Sequence, residues 1–547
     1  MGSDRTHNPY IIQGFSLPAF ENRLRSILGV VNERPAGFPG KGSVPDIKDP
    51  AQFAKNYLIE SLMGKFGADR DDPALDDAAL LAFEEAERLC YASNLKFSQS
   101  PLELDRLQDG RLGLARQCCH AILGLPDMER YPLLCGFGPG ASTRLKRSDG
   151  DAVYKYSGTP EVTANASFLG QLFIETADIW QQMPSFEGDN PRLNTVWGSR
   201  LEFVPKDVRK KRSIAIEPDF NMYLQKGVGG LIRRRLLNAG IDLRTQDRNA
   251  KACFNLGLAT LDLSSASDTV SQGVVNYLLP PAWTDLIEQT RSEFIVYPDK
   301  SIHRLCKVSS MGNGFTFELE TLIFLSLARA CVPKDSWCDI LVYGDDIIVP
   351  VACAPDLIAL LGECGFVLNE EKSFFEGPFR ESCGKHSHSG HDVTPFYIRR
   401  PIDNVLELFL LHNNLERWRR RVGALLTQEE DLALRYYLKV LRGFAPAMWR
   451  RPRLPDGYGD GAFIGSFAGV DPQVDRDGRE LFLVDVLTEV AGDPIDDLPY
   501  GALRKWYLSP KPAPILWCGS DQSFFVAPRK RGRVRKRKLL VPWAAWS

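Results

Sequence analysis

The stretch Ile340-Leu341-Val342-Tyr343-Gly344-Asp345-Asp346-Ile347-Ile348-Val349 decides the fold of this chain. Two short runs rich in β-branched residues flank Gly344-Asp345, a dipeptide that favours the two-residue turn of a β-hairpin. The sequence therefore predicts two adjacent carboxylates at the tip of a buried hairpin. Paired acids in such a place repel each other and resist desolvation, so they need a cationic partner, and hard divalent ions such as Mg²⁺ prefer carboxylate oxygen. An ordinary Asp-rich turn exposed to water is the alternative.

Composition excludes several classes of protein. The chain has 547 residues with 44% hydrophobic and 25% charged residues, which is typical of a globular protein with about three domains or one multi-lobed body. Its twelve cysteines follow no repeating CxxC spacing and no apolar signal segment opens the chain, a pattern that favours reduced thiols in a cytosol over a disulfide scaffold. No apolar run approaches the roughly 20 residues that span a bilayer.

A third acid precedes the hairpin. Asp262 ends the apolar run at residues 258–261, and a helical pattern lies between it and Asp345. This order lets two strands lie side by side in one antiparallel sheet, with their carboxylates converging. Such an arrangement suits phosphoryl transfer, in which two divalent ions about 3.5–4 Å apart hold the attacking and leaving oxygens. Asp262 taken alone is equally compatible with a helix-capping role.

Cationic residues cluster in three places although the net charge is only −2. Residues 206–212 contain five cations and one acid, 417–421 is a basic patch carrying a tryptophan, and 529–538 contains eight cations and no acid. Each cluster predicts either contact with triphosphate or RNA backbone or a solvated face, and the last predicts an RNA-contacting or disordered tail. On charge alone we expect RNA contacts from Arg417, Arg419, Arg529, Arg531 and Arg533.

Five ordered motifs carry a family resemblance. YGDD (343–346) resembles the signature of viral RNA-dependent RNA polymerases. Together with EPDFNM (217–222), LDLSSASD (261–268), MGNGFTFE (311–318) and FRESCG (379–384), it makes the chain similar to the replicase catalytic β subunit of the single-stranded RNA bacteriophages, the leviviruses. The match is dense from about 204 to 402 and faint in the first and last 130 residues.

The resemblance implies an α+β fold shaped as a right-hand polymerase. Residues 1–200 would form an N-terminal arm and fingers, and 201–257 the part of the fingers that grips the nucleotide. Residues 258–400 would form a palm whose antiparallel sheet carries the Gly-Asp-Asp hairpin, and 401–547 the thumb and basic tail.

The resemblance also implies site residues and a reaction. Asp262 and Asp345 would be the principal Mg²⁺ ligands with Asp346 assisting, and Lys372 would be a general acid for pyrophosphate. NTP-binding residues would be Lys206, Arg209, Arg212, Asp268, Ser309, Gly312 and Asn313. The reaction would be two-metal nucleotidyl transfer from NTPs to a growing RNA 3′-hydroxyl, with two Mg²⁺ ions for which Mn²⁺ can substitute.

The partners implied by the resemblance are a single-stranded RNA template, the host elongation factors Tu and Ts and a ribosomal protein. The expected location is the cytoplasm of the bacterial host, without a membrane. Two alternatives are a reverse transcriptase and a non-enzymatic RNA-binding protein. Gly344 and the Ser-rich segment after Asp262 argue for ribonucleotides over deoxyribonucleotides, and RNA binding alone leaves the three acids unexplained.

Overall fold

The computed structural model describes residues 10–12, 14–30, 47–67, 72–147, 150, 152–156, 159–176, 193–207, 209–465, 472–474, 480–489, 534–542 and 545. The chain forms two compact units. Unit 1 comprises Met1–Arg70, Lys385–Gly492 and Lys530–Ser547, and unit 2 comprises Asp71–Gly384 and Asp493–Arg529. Helices and strands are mixed along the chain, as the sequence predicts.

The helices of the described residues are α1 (Leu17–Leu28), α2 (Pro50–Ser61), α3 (Pro73–Lys96), α4 (Pro101–Leu104), α5 (Arg111–Leu123), α6 (Tyr131–Leu134), α7 (Ala152–Lys155), α8 (Ala164–Thr176), α9 (Asp219–Asn238), α10 (Asp247–Ala252), α11 (Gln272–Leu278), α12 (Pro281–Thr290), α13 (Thr316–Cys331), α14 (Ala354–Glu363), α15 (Val405–Arg421) and α16 (Gln428–Arg442). Within this part of the chain, no helix is long and apolar enough to span a membrane. Every cysteine there is a free thiol.

The strands are β1 (Glu161–Thr163), β2 (Asn194–Val196), β3 (Ser199–Pro205), β4 (Lys211–Ile216), β5 (Leu258–Leu261), β6 (Leu263–Ser264), β7 (Phe294–Val296), β8 (Ile302–Arg304), β9 (Leu341–Tyr343), β10 (Asp346–Pro350), β11 (Val367–Leu368), β12 (Phe379–Ser382), β13 (Lys385–His388), β14 (His391–Asp392), β15 (Pro472–Val474), β16 (Glu480–Glu489) and β17 (Val534–Pro542).

The core of unit 2 is built on α13. This helix is apolar on nearly all its faces, a pattern that stabilises a helix only when other elements surround it. Leu319, Leu322, Ile323 and Phe324 have no exposed surface. Helices α5, α9 and α14 pack against α13. A helix enclosed in this way also supports the neighbouring strand β9.

Two sheets of unit 2 approach the site. Antiparallel strands in the order β5-β10-β9 form the first, with Ile347 opposite Leu261 and Asp346 opposite Tyr343. The second has the order β4-β3-β7-β8, and β4 carries the basic segment. In the first sheet every residue of β5 is buried, which matches its continuous apolar sequence.

Unit 1 includes the capped helices α15 and α16 and the sheet β15-β16-β17. The Asn404 side chain caps α15 by accepting from the backbone N–H groups of Leu406 and Glu407, and Thr427 and Glu430 form a capping box at the start of α16. Strand β17 pairs antiparallel with β16 along its whole length, from Val534 to Pro542. A disordered tail is therefore the wrong prediction for this part of the basic segment.

Candidate active site

The turn between β9 and β10 is fixed by its contacts with α13. Gly344 has a φ of +63°, and a Cβ on it would lie 2.6 Å from the ring of Phe317. Its backbone N–H donates to Thr321 Oγ1 at 2.9 Å. Only glycine meets both the left-handed backbone and the close approach, so the tight turn leaves Asp345 exposed at its tip.

Asp262 follows β5 directly, beside the hairpin. Its Oδ2 accepts from Asn369 Nδ2 at 2.7 Å, and its backbone N–H donates to Ser373 Oγ at 3.0 Å. Burial raises the pKa of Asp262 to about 6; the charge of Lys372 lowers it and that of Asp345 raises it. The two carboxylates are thus close enough to repel each other, and a cation between them would relieve this repulsion.

Asp346 is held in a different way. Its Oδ1 accepts from Cys383 N at 3.2 Å and Ser382 Oγ at 3.3 Å, and Cys383 Sγ lies 3.5 Å from Oδ2. Burial raises its pKa, while the Cys383 backbone hydrogen bond lowers it. These contacts tie the second aspartate of the hairpin to the end of β12.

One cavity of about 520 Å³ is lined by seven of the eleven predicted catalytic and NTP-binding residues. A volume of this size is typical of a small-molecule site. Its charged lining consists of Lys206, Arg209, Lys210, Lys211, Arg212, Asp262, Asp268, Asp345 and Lys372. Burial lowers the pKa of Lys206, with Arg212 and Lys372 acting in the same direction and Asp262 opposing them. Cations and carboxylates therefore face each other across the cavity, which fits a metal-bound polyphosphate.

Not every cation of the basic segment is available to a ligand. Lys211 Nζ lies 2.7 Å from Asp76 Oδ1 of α3, and its side chain is only 7% exposed. Arg209 is exposed, and its backbone N–H donates to Asp207 Oδ1 at 2.8 Å. Lys211 thus borders the cavity but is paired with α3, whereas Arg209 is exposed.

The loop at 309–314 is docked on β4. Met311 O accepts from Ala215 N at 2.8 Å, and Gly312 has a φ of +118° and lies so close to β4 that a Cβ on it would clash with Ala215 O. Burial raises the pKa of Glu217, and a hydrogen bond with the Asn313 side chain lowers it. Ser309 Oγ is buried without a hydrogen-bond partner in the described residues.

Among the predicted NTP-binding residues, Ser309, Gly312 and Asn313 do not line the cavity. Gly312 instead lines an adjacent cavity of about 1010 Å³. Met311 borders both spaces. Met311 thus lies at the border of the two cavities, and the Ser309 hydroxyl is buried.

The carboxylates of the cavity can supply some of the ligands of a divalent cation, but not all of them. No group of three or more His, Cys, Asp or Glu side chains among the described residues forms a complete metal site. Mg²⁺ seldom needs one, because it commonly binds one or two carboxylates and takes its other ligands from water and substrate phosphates. Asp262 and Asp345 on one cavity beside several cations match that donor set.

The remaining predicted RNA contacts lie elsewhere. Arg417 of α15 forms ion pairs with Asp456 and Asp460, and the largely buried Arg419 pairs with Glu416 and Asp431. Arg529, Arg531 and Arg533 fall outside the described residues. RNA binding by Arg417 and Arg419 stays a prediction, and it would require exchanging carboxylate partners for phosphate.

Sequence reasoning missed several residues that shape the site. Asn369 holds Asp262, and Thr321 holds the hairpin turn. Glu320 of α13 is buried, and burial together with the charges of Asp345 and Asp268 raises its pKa well above the ordinary value. The sequence also did not predict that residues of α3 line the cavity. These residues carry no local motif, because their contacts join segments far apart in sequence.

Comparisons with known proteins identify the family. The sequence model of "RNA replicase, beta-chain" matches residues 40–476. The chain is 36% identical over 487 residues to "RNA-directed RNA polymerase subunit beta" of Escherichia virus Qbeta, covering 82% of this chain and 79% of that protein. It is 41% identical to the protein of the same name from Enterobacteria phage SP, covering 76% and 71%.

Similarity to solved structures is weaker. The RNA-dependent RNA polymerase of a human picorbirnavirus has a TM-score of 0.30 and 13% identity, covering 70% of this chain and 88% of that one. The assignment to a family therefore depends on the sequence matches. They show that the chain belongs to the RNA replicase β-chain family of phage RNA-directed RNA polymerases.

Proposed function

We propose that this RNA-directed RNA polymerase joins NTPs to an RNA 3′-hydroxyl by two-metal nucleotidyl transfer in the cavity of unit 2. The proposal rests on one observation: Asp262 and Asp345 line the same cavity as Lys206, Arg212 and Lys372. Mg²⁺ is the proposed ion, with Mn²⁺ as a substitute. When bound, the ions activate the attacking hydroxyl and neutralise developing phosphate charge.

The protein groups have distinct tasks in this proposal. Asp262 and Asp345 would hold the ions with Asp346 assisting, and the bonds from Asp346 to β12 position the hairpin. Lys206, Arg209 and Arg212 bind the triphosphate as anion-binding cations. Lys372 donates a proton to the departing pyrophosphate, as general-acid catalysis requires.

The sugar and template contacts are also proposed. Asp268 accepts a hydrogen bond from the ribose 2′-hydroxyl, and the loop carrying Ser309, Gly312 and Asn313 supports the template–NTP pair. Sheet β5-β10-β9 would be the polymerase palm, with fingers before it and a thumb from about residue 401. These roles follow from the family resemblance; of Asp268, Ser309, Gly312 and Asn313, only Asp268 lines the same cavity as Asp262 and Asp345.

The proposed setting is a replicase complex. The relatives are named subunit β, which implies further subunits and an RNA template. We propose single-stranded phage RNA as that template, with host elongation factors Tu and Ts and a ribosomal protein as partners. The place of action would be the cytoplasm of the bacterial host.

The direct test is incorporation of labelled NTP on a single-stranded RNA template with Mg²⁺, with and without elongation factors Tu and Ts. We expect Asp345→Asn to lose at least a thousandfold in rate, because it removes the anionic oxygens that would hold the divalent ion but keeps the side-chain volume. Asp285→Asn makes the same change at an exposed position of α12 and is the matched control.

Full activity of Asp345→Asn would contradict the metal assignment. Tight RNA binding with no incorporation by the wild type, even with the factors, would favour the RNA-binding alternative.

A further inference from the structure

Lys307 is a fully buried cation that lies outside the five sequence motifs. Its Nζ lies 2.9 Å from Asp268 Oδ1, 3.4 Å from Glu87 Oε1 and 3.4 Å from the centroid of the Phe83 ring. The Lys307 side chain is 0% exposed. A buried ammonium is costly unless carboxylates and an aromatic face compensate it, and here both are present.

The backbone of Lys307 is fixed as firmly as its side chain. Cys306 N donates to Glu87 Oε2 at 2.7 Å, and Val308 N donates to Val270 O at 2.8 Å. Glu87 therefore braces the segment from α3 by a hydrogen bond to its backbone and a charge beside its ammonium. The position of Nζ is consequently set by the fold, whatever nucleotide is bound.

Because of the contact with Lys307, the two carboxylate oxygens of Asp268 have different surroundings. Oδ1 accepts from Lys307, whereas Oδ2 accepts no hydrogen bond within the described residues. Asp268 lines the same cavity as Asp262 and Asp345, and its side chain is 10% exposed. The carboxylate thus has one oxygen anchored in the protein and one free to meet a ligand in the cavity.

We propose that Lys307 is a positioning residue for sugar selection, which anchors Asp268 so that its free oxygen accepts the ribose 2′-hydroxyl. This inference rests on the proposed function. An ionised carboxylate can only accept a hydrogen bond. A 2′-hydroxyl can donate one and a 2′-hydrogen cannot, so a deoxyribonucleotide leaves the carboxylate unpaired.

The test compares kcat/KM for NTP and dNTP in the wild type and in Lys307→Met, which keeps the length of the side chain without its charge. We expect the NTP-over-dNTP ratio to fall at least tenfold, through a higher KM for NTP with little change for dNTP. A residue that only stabilises the fold would lower the use of both substrates together and leave the ratio unchanged. That result would overturn the inference.

The matched control is Glu87→Gln, which removes the other carboxylate partner of Lys307 but leaves the Asp268 contact. The inference expects this variant to keep the wild-type ratio. An equal fall in both variants would overturn it, because general loosening of the cluster would then explain the effect.

A wild-type measurement keeps the inference testable if Lys307→Met does not fold. A 2′-fluoro NTP can accept but not donate a hydrogen bond, so it should be discriminated against as strongly as a dNTP. Use of the 2′-fluoro substrate as efficiently as NTP would overturn the inference. Absence of any NTP incorporation by the wild type would instead overturn the proposed function, and this inference with it.

Discussion

Asp346 differs from its neighbour Asp345 in what surrounds its carboxylate. Two donors at the end of β12 bind Asp346, whereas Asp345 stands exposed at the tip of the turn. Asp345 lies in the turn and Asp346 begins β10, so a Gly-Asp-Asp hairpin can give its two acids separate tasks. Equal roles for the two acids are therefore not expected.

We predict that Asp346→Asn loses activity at least tenfold less than Asp345→Asn. The asparagine oxygen can still accept from Cys383 N and Ser382 Oγ, so the hairpin keeps its anchor to β12. Steady-state NTP incorporation by the two purified variants, with circular dichroism to verify folding, makes the comparison. Equal losses would show that the charge of Asp346 acts directly on the substrate or its metal ions.

At the scale of elements, one side-chain hydrogen bond links α13 to the turn of the hairpin. Thr321 Oγ1 accepts from Gly344 N and donates to Phe317 O at 2.8 Å. The hydroxyl thereby holds the turn of the hairpin in a fixed position relative to the core helix α13. Phe317 closes the same junction, since its ring packs edge-on against Tyr343 at 4.8 Å.

We predict that Thr321→Val destabilises the protein by about 1–3 kcal/mol, because it leaves the buried Gly344 N–H without an acceptor. The kcat should also fall, because the turn loses its fixed position. Denaturant unfolding and incorporation kinetics measure the two effects.

The control for this prediction is Ser326→Ala on the same helix, where the hydroxyl donates to Leu322 O and has no contact with the hairpin turn among the described residues. It should alter stability without altering kcat. A normal kcat in Thr321→Val would show that the sheet alone positions the turn.

At the scale of the whole molecule, the distribution of charge matters more than its sum. The net charge is −2, yet eight cations lie in residues 529–538. Strand β17 uses part of this segment for pairing, and Lys536 forms an ion pair with Asp485 at 2.8 Å. Deleting the segment would therefore disturb a sheet as well as remove charge.

We predict that replacing Arg529, Arg531 and Arg533 by Gln weakens single-stranded RNA binding and lowers the slope of log K against log salt by up to about 2. Binding titrations at several salt concentrations give the slope. The control replaces Arg88, Arg130 and Arg244, which are exposed and already paired with carboxylates. An unchanged slope would argue against RNA contact by the tail.

The sequence by itself determined the family, the candidate carboxylates Asp262, Asp345 and Asp346, and the hairpin segment that carries two of them. Gly344-Asp345 between apolar runs specifies a tight turn, because few dipeptides adopt that backbone. The apolar run before Asp262 specifies a buried strand ending in a carboxylate. These features depend on neighbours along the chain, so they can be recognised without knowing the fold.

Only the tertiary structure decided which groups hold those acids. Asn369 on Asp262, Thr321 on Gly344, Cys383 on Asp346 and Lys307 on Asp268 each join segments from 23 to 107 residues apart. Local pattern carries no information about such pairs. The physical reason is that burial and hydrogen bonding are set by packing in space, whereas propensity and periodicity act only between near neighbours in sequence.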